Sequence, residues 1–505
     1  MMRIKFFAAC LIAMPFLGSA PSNDAMLQSF QKPPQAAKPR VWWHWMNGNI
    51  TKEAIKKDLL WMKQTGIGGF QNFDAAMMTP QIVPNRLTYM TPDWKEAFKY
   101  ATKLADSLQL EMAIAGSPGW SETGGPWVQP EDGMKKPVWS EMRVSSGQSN
   151  ITAPKPFDIT GPFQNIPKQA DFGAETPNEN HLTHFYKDVA VIAFKLPSVD
   201  KTLKELGAIV TASGGAFTLA QLTDGDLNKG VMLPRDDAKG FGWIAFSFPE
   251  PTTIKGVTMV GGGNPGVFGQ GASVNDARIL ESSDDGIHYT KVITIEVGSL
   301  LQTTISFPAV TARYFRVKVN NPPPSGNMFA ALMGGTPDLK TTPGTLIQEI
   351  VLHPADRLHM FEEKAAFTTV MDLEKKRTRD AIDVVNQNDI IDLTSKMDAT
   401  GKINWTVPKG DWKIMRFGYS LTGIENHPAS PEATGLEVDK MDPGAINRYF
   451  TNYLDQYKSA TGGLMGAKGG LQYMVTDSYE AGAQNWTAAL PNEFQKRRGY
   501  SLIPW

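Results

Sequence analysis

Gln472-Tyr473-Met474-Val475-Thr476-Asp477-Ser478-Tyr479-Glu480-Ala481-Gly482-Ala483-Gln484-Asn485-Trp486 is the stretch that decides the fold of this chain. It opens as a short apolar run with β-branched and aromatic residues, the pattern of a buried strand. Two acids, Asp477 and Glu480, follow the run, then small residues, two amides and a tryptophan. A buried strand that ends in carboxylates is where a (β/α)-barrel enzyme carries its chemistry. Gln484 and Asn485 offer hydrogen bonds to hydroxyls, and Trp486 offers a flat apolar face, a combination suited to a sugar ring. The plainer alternative makes Asp477 a helix cap and leaves Glu480 on a solvated surface.

Outward from this stretch, the same alternation recurs near the N-terminus. Val41–Trp45 is a short aromatic strand. Thr51–Thr65 has helical spacing, with Thr51 as its cap and Ile55, Leu59 and Met62 on one face. Gly68–Phe73 is a second strand, Pro92–Leu108 a second helix and Glu111–Ala115 a third strand. This β-α-β-α-β order implies a parallel sheet, which the handedness of crossovers winds towards a barrel or an open sheet. Polar and aromatic residues collect after its strands: His44, Trp45 and Asn47 after the first, Asn72 and Asp74 after the second, Ser117, Trp120, Ser121 and Glu122 after the third. Taken singly, His44 could be a structural hydrogen-bonder, Asn47-Gly48 a turn and the tryptophans core. Gathered at one end of a sheet, they read as a substrate pocket.

After residue 137 the βα rhythm stops. Residues 137–202 are β-rich, and 203–355 form a module of strands with closely spaced turns: Trp243–Phe248, Ile254–Val260, Ala277–Glu281, Lys291–Ile295 and Tyr314–Val319. The stretches Leu222–Asp226, Ser282–Gly286 and Ala312–Val317 resemble a galactose-binding, discoidin-like jelly roll. Asp224 and Asp226 stand where such modules sometimes hold structural calcium, and a plain Asp-Gly turn explains them equally well. Residues 356–410 are again β-rich. The whole of 137–410 is expected to be inserted between barrel strands three and four, since surface loops tolerate insertions. Lys413–Tyr419 is expected to resume the barrel as its fourth strand. Asp442–Lys458 follows as a helix with Ile446, Tyr449, Phe450 and Leu454 on one face, and Gln472–Val475 is the fifth strand. Glu437 and Asp439 lie on the loop after strand four. The fold class is therefore α/β plus β, an incomplete (β/α)8 barrel with parts at 41–136 and 411–505.

Trp42-Trp43-His44-Trp45-Met46-Asn47-Gly48-Asn49-Ile50-Thr51, Gly435-Leu436-Glu437-Val438-Asp439-Lys440-Met441-Asp442-Pro443 and Thr476–Thr487 together resemble glycoside hydrolase family 106, the α-L-rhamnosidases. The resemblance implies an inverting, calcium-assisted hydrolase of rhamnose-containing saccharides, pectic ones among them, with a barrel catalytic domain. It implies that Glu480 is the general acid. That role needs a carboxyl kept protonated, by burial against residues such as Trp486 or by a nearby acid such as Asp477. Calcium takes oxygen ligands. Glu437 and Asp439 are candidate metal ligands, and Asp477 is also available. Inverting enzymes hold two carboxyls about 6.5–9.5 Å apart. With five strands of eight, the chain is expected to be an inactive fragment whose general base lies beyond residue 505. The rival readings are a non-catalytic carbohydrate-binding protein on a degenerate barrel, and another hydrolase or a lyase on the same scaffold.

The bulk numbers fit this reading. The chain has 505 residues, 41% hydrophobic and 10% aromatic content and a net charge of −1. That suits two or three globular domains and gives no footprint for nucleic acid. Arg3 and Lys5, the apolar run Phe6–Leu17 and Gly18-Ser19-Ala20 make residues 1–20 a signal peptide, followed by a linker over 21–40. No apolar run is long enough to span a membrane. The single cysteine, Cys10, falls within the signal segment. It carries only a weak lipoprotein pattern, and the processed chain would have no disulfides or thiolate-bound metals. Export to a bacterial periplasm or the exterior is expected.

Overall fold

The computed structural model describes residues 23–77, 79–158, 160–167, 183–262, 278–296, 300–322, 341–368, 381–466, 469–476 and 478–505. The expected signal segment and Asp477 lie outside the described residues.

The expected linker carries a nine-residue helix, α1 (Asn23–Gln31). Strand β1 (Arg40–Met46), helix α2 (Lys52–Gln64), strand β2 (Gly69–Ala75), helix α3 (Pro92–Ser107) and strand β3 (Glu111–Ala115) follow in the expected order. Thr51 caps α2, its hydroxyl accepting from Ala54 N at 3.1 Å. β1 pairs in parallel with β2, and β2 with β3. Trp43, Trp45, Phe70, Met112 and Ile114 face the helices and form one core with Leu59, Trp94 and Phe98. Trp42, His44, Gln71 and Phe73 alternate onto the opposite face, because successive strand side chains point to opposite sides.

Next come β4 (Lys135–Ser145), β5 (Asn150–Thr152) and β6 (Lys187–Lys195). The sandwich-like module contains β7 (Ile209–Ala212), β8 (Val231–Pro234), β9 (Phe241–Gly261), β10 (Arg278–Ser283), β11 (Thr290–Thr294), β12 (Gln302–Asn320) and β13 (Gly344–His353). β9 runs through both Trp243–Phe248 and Ile254–Val260, which the sequence reads as separate strands. Its two halves pair with the two halves of β12, with register shifts between them. A separate core of Ile244, Phe246, Val257, Phe315, Val317 and Ile350 lies inside this module.

A short helix, α4 (Phe361–Lys364), precedes β14 (Ile391–Asp392), β15 (Lys402–Asn404) and β16 (Asp411–Leu421). Here the structure corrects the sequence reading. The segment Lys413–Tyr419 is no barrel strand: β16 pairs antiparallel with both β4 and β6. Over Asp411–Phe417 its buried positions alternate, the mark of an antiparallel sheet covered on one face. A parallel strand packed on both sides reads as a continuous apolar run.

Helix α5 (Pro443–Ala460) is capped by Asp442, which accepts from Gly444 N and Ala445 N. Its buried stripe is Ala445, Tyr449, Tyr453, Tyr457 and Ala460; of the expected face, Tyr449 lies on this stripe, and Ile446 and Phe450 are only partly buried against the same core. The tyrosines win because their hydroxyls find buried carbonyls: Tyr449 donates to Gly116 O at 2.7 Å and Tyr453 to Ala115 O at 3.0 Å. β17 (Leu471–Val475) then pairs in parallel with β3, giving a four-stranded parallel sheet of order β1-β2-β3-β17 among the described residues. Helix α6 (Leu490–Arg498) ends at Gly499, which has the positive φ of a helix stop.

Candidate active site

The C-terminal ends of the parallel strands are roofed by the segment around His427. Trp120 N donates to His427 O at 2.9 Å, and Ser121 Oγ accepts from His427 N at 3.0 Å. Ala76 N donates to Pro428 O, and Asn426 Nδ2 donates to Pro118 O at 2.9 Å. Gly119 has φ +84, and a Cβ there would stand 2.6 Å from the His427 carbonyl, so this close approach requires glycine. The loop after β17 reaches the same place. Glu480 Oε2 is 3.9 Å from His427 Nε2, and Glu480 Oε1 accepts from Ser478 Oγ at 2.8 Å. The Glu480 side chain is 38% exposed, so the group is accessible to a ligand.

His44 lies on the open face of the sheet, stacked on Phe73 with ring centroids 5.1 Å apart. Its Nε2 accepts from Trp120 Nε1 at 3.0 Å, which puts the ring proton on Nδ1. Burial lowers its pKa and favours this neutral form. Tyr479 is half exposed, with its phenol pKa raised by burial and then by the charges of Glu437 and Glu122. His44, Trp120, Glu122, Tyr479 and Glu480 are therefore all carried by the strand ends and the loops that follow them.

Other predicted site residues take structural places. Trp45 is 3% exposed, its ring against Trp94 and Phe98. Asn72 and Asp74 share that helix-facing side. Asn72 donates to Trp43 O, and Asp74 accepts from Trp94 Nε1 at 2.8 Å. Burial pushes the Asp74 carboxyl up to about 7, opposed by the Trp94 hydrogen bond and aided by Glu432. Asn47 adopts positive φ in a turn, and its side chain reaches Thr79 O. Asn485 donates to Ala365 O. Trp486 packs in a core with Tyr419, Leu421 and Leu436. Parity along a strand explains Trp45, Asn72 and Asp74: each is an odd step from the face that His44 lines.

Gln484 joins a different set. Its Nε2 donates to Asp439 Oδ1 at 2.5 Å, and its Oε1 accepts from Lys440 N at 3.0 Å. Asp439 pairs with Lys135 at 2.9 Å, with the two side chains 3% and 0% exposed. Glu437 is bound by Lys440 at 2.5 Å and by Thr123 Oγ1 at 2.5 Å. These two carboxylates do not fit a calcium site: each is already neutralised by a lysine, and among the described residues no three acidic or imidazole groups converge as metal ligands.

Sequence reasoning gave no part to His427, Ser478, Lys135, Thr123 or Thr487. Asn426-His427-Pro428 carries only a turn signal, and Lys135-Lys136 looks like a surface pair. Nothing local marks Lys135 as buried.

The family model described as alpha-L-rhamnosidase, glycoside hydrolase family 106, matches residues 31–505. The structure of a rhamnosidase from Novosphingobium sp. PP1Y is 40% identical and superposes with a TM-score of 0.77 over 95% of this chain and 42% of that one. A Formosa agariphila protein named "Putative beta-glucuronidase" is 25% identical over 485 residues, which are 96% of this chain and 26% of its own length. The chain thus spans less than half the length of either relative. With a family match over nearly its whole length and the family's motif loop beside the open end of a parallel sheet, the chain belongs to glycoside hydrolase family 106, the α-L-rhamnosidases.

Proposed function

We propose that the protein carrying this chain is an exported glycosidase that removes terminal α-L-rhamnosyl residues from plant oligosaccharides or pectic polysaccharide, with inversion. The observation that carries the reading is the segment 478–487 that follows β17, with Glu480 beside the pinned His427. In this reading Glu480 is the general acid. Its Oε1 is held by Ser478, so Oε2 gives its proton to the glycosidic oxygen as that bond breaks. A water, deprotonated by a second carboxylate, attacks the anomeric carbon from the opposite face. His44, Trp120 and Tyr479 line the approach, with two aromatic faces suited to the C–H surface of a sugar. The full architecture proposed is a (β/α)8 barrel interrupted by a jelly roll, and the apolar segment at 6–17 supports export.

The test is hydrolysis of p-nitrophenyl α-L-rhamnoside, followed by NMR of the first sugar released. β-L-rhamnose as the initial product is expected. Turnover of a β-D-glucuronide with none of the rhamnoside would overturn the assignment.

A further inference from the structure

Asp439 is fully buried, and four protein groups use its carboxylate. Oδ2 accepts from Lys135 Nζ at 2.9 Å and from Thr487 Oγ1 at 2.8 Å. Oδ1 accepts from Gln484 Nε2 at 2.5 Å and from Met441 N at 2.9 Å. An ionised carboxylate has about four acceptor sites, so this one is full. Its neighbour Glu437 accepts from Lys440 Nζ and Thr123 Oγ1. Two lysines balance two acids, and the cluster needs no further cation.

The donors come from four places: the start of β4 (Lys135), the loop after β3 (Thr123), the segment 437–441 itself, and the loop after β17 (Gln484 and Thr487). Only the last of these carries Glu480. That loop is anchored at one end by the pairing of β17 with β3, which reaches Val475. At the other end it is anchored on Asp439, through Gln484 and Thr487. Glu480 lies between the anchors, four residues before Gln484. Gly482, at φ +66, turns the chain between them.

We propose that Asp439 is a positioning residue: through Gln484 and Thr487 it fixes the loop that presents Glu480, and it does so with lysine, not calcium, as its counter-charge. The consequence for catalysis rests on the reading of Glu480 as the acid; the effect on the loop does not. A carboxylate in a dry, low-dielectric site holds several donors firmly, and losing it leaves Lys135 buried without a counter-ion.

The experiment is amide hydrogen exchange of this chain, native and Asp439→Asn. The amide keeps the shape but has one acceptor oxygen, so it cannot accept from both the Lys135/Thr487 pair and the Gln484/Met441 pair. Exchange over 478–487 is expected to rise roughly tenfold or more, with the sandwich module unchanged. Excess calcium chloride or EDTA is expected to leave the native loop's exchange as it is. Unchanged exchange over 478–487 overturns the proposal, as does an equal rise throughout the chain. So does loosening of the native loop by EDTA to the level of the variant, which would make Asp439 act through a metal. If Asp439→Asn does not fold, Thr487→Val and Gln484→Ala each remove one anchor while leaving the ion pair, and each is expected to loosen the same loop. In an active preparation Asp439→Asn should lower kcat on a rhamnosyl saccharide with KM little changed. A loosened loop in a protein without rhamnosidase activity would refute the functional reading and leave the positioning role standing.

Discussion

His427 Nε2 lies 3.9 Å from Glu480 Oε2, while His427 Nδ1 lies 3.0 Å from the Glu425 carbonyl. A carbonyl only accepts, so Nδ1 carries a proton and Nε2 presents its remaining site to the carboxyl. The backbone of His427 is fixed at N and O by the loop after β3. The imidazole is thus a rigid neighbour of the one Glu480 oxygen that Ser478 does not occupy.

If Glu480 donates the proton, its removal should matter in proportion to how much the leaving group needs that proton. Loss of a general acid costs about 10²–10⁴-fold. Glu480→Gln keeps the size and is expected to abolish cleavage of rhamnosyl saccharides while sparing much of the rate on a dinitrophenyl rhamnoside, whose leaving group departs nearly unaided. Steady-state rates on the two substrates make the comparison. Equal losses on both would mean that Glu480 positions substrate.

His427→Ala removes the neighbour without touching the carboxyl. It should lower kcat on a rhamnosyl saccharide roughly tenfold through lost orientation, with KM within about twofold of native. His427→Gln, which can still place a polar atom toward Glu480, should recover part of the loss. A change confined to KM would instead assign His427 to substrate binding.

Asp74 sets a pH effect on stability. Its folded-state pKa is raised from 3.8 to about 7 by burial. The folded state therefore holds a proton that the unfolded state releases, so the stabilisation is complete below about pH 4 and is lost as pH rises through about 7. Each tenfold step corresponds to about 1.4 kcal/mol, making the full cost of ionisation ~4 kcal/mol at most. Asp74→Asn keeps an oxygen to accept from Trp94 and cannot ionise. Urea melts should find it more stable than native at pH 8, by about 1–3 kcal/mol, and close to native at pH 4. A variant less stable at pH 8 would show that the Asp74 charge is used by the fold.

The sandwich module should fold by itself, since its core is its own. Its edge, however, runs beyond residue 355. Met360 lies in that core, and Glu362 accepts from Gln302 Nε2 at 2.9 Å and Thr304 Oγ1 at 2.7 Å. Residues 203–367 expressed alone should melt cooperatively, and 203–355 should melt lower by several degrees or fail to fold. Calorimetry of the two segments decides; equal melting would place the boundary at 355.

Local pattern alone determined the elements that are held locally. Thr51 as a cap, the helix start at Asp442, the β-α-β-α-β start and the strand at Gln472–Val475 were readable because caps, periodicity and turn residues act within a few positions. The motif around Glu480 was readable for the same reason, as a strand followed by acids. Tertiary structure decided what depends on a distant partner. β16 joined an antiparallel sheet because β4 and β6, far away in sequence, offered ladders on both its edges. Trp45 and Asp74 turned to the helix side because the pairing of β1 and β2 fixed the pleat, and a one-residue step reverses the face. Lys135 and Asp439, 304 positions apart, carry no mark of each other in the chain. An ion pair has no sequence period, and only the folded backbone brings those two charges within 2.9 Å.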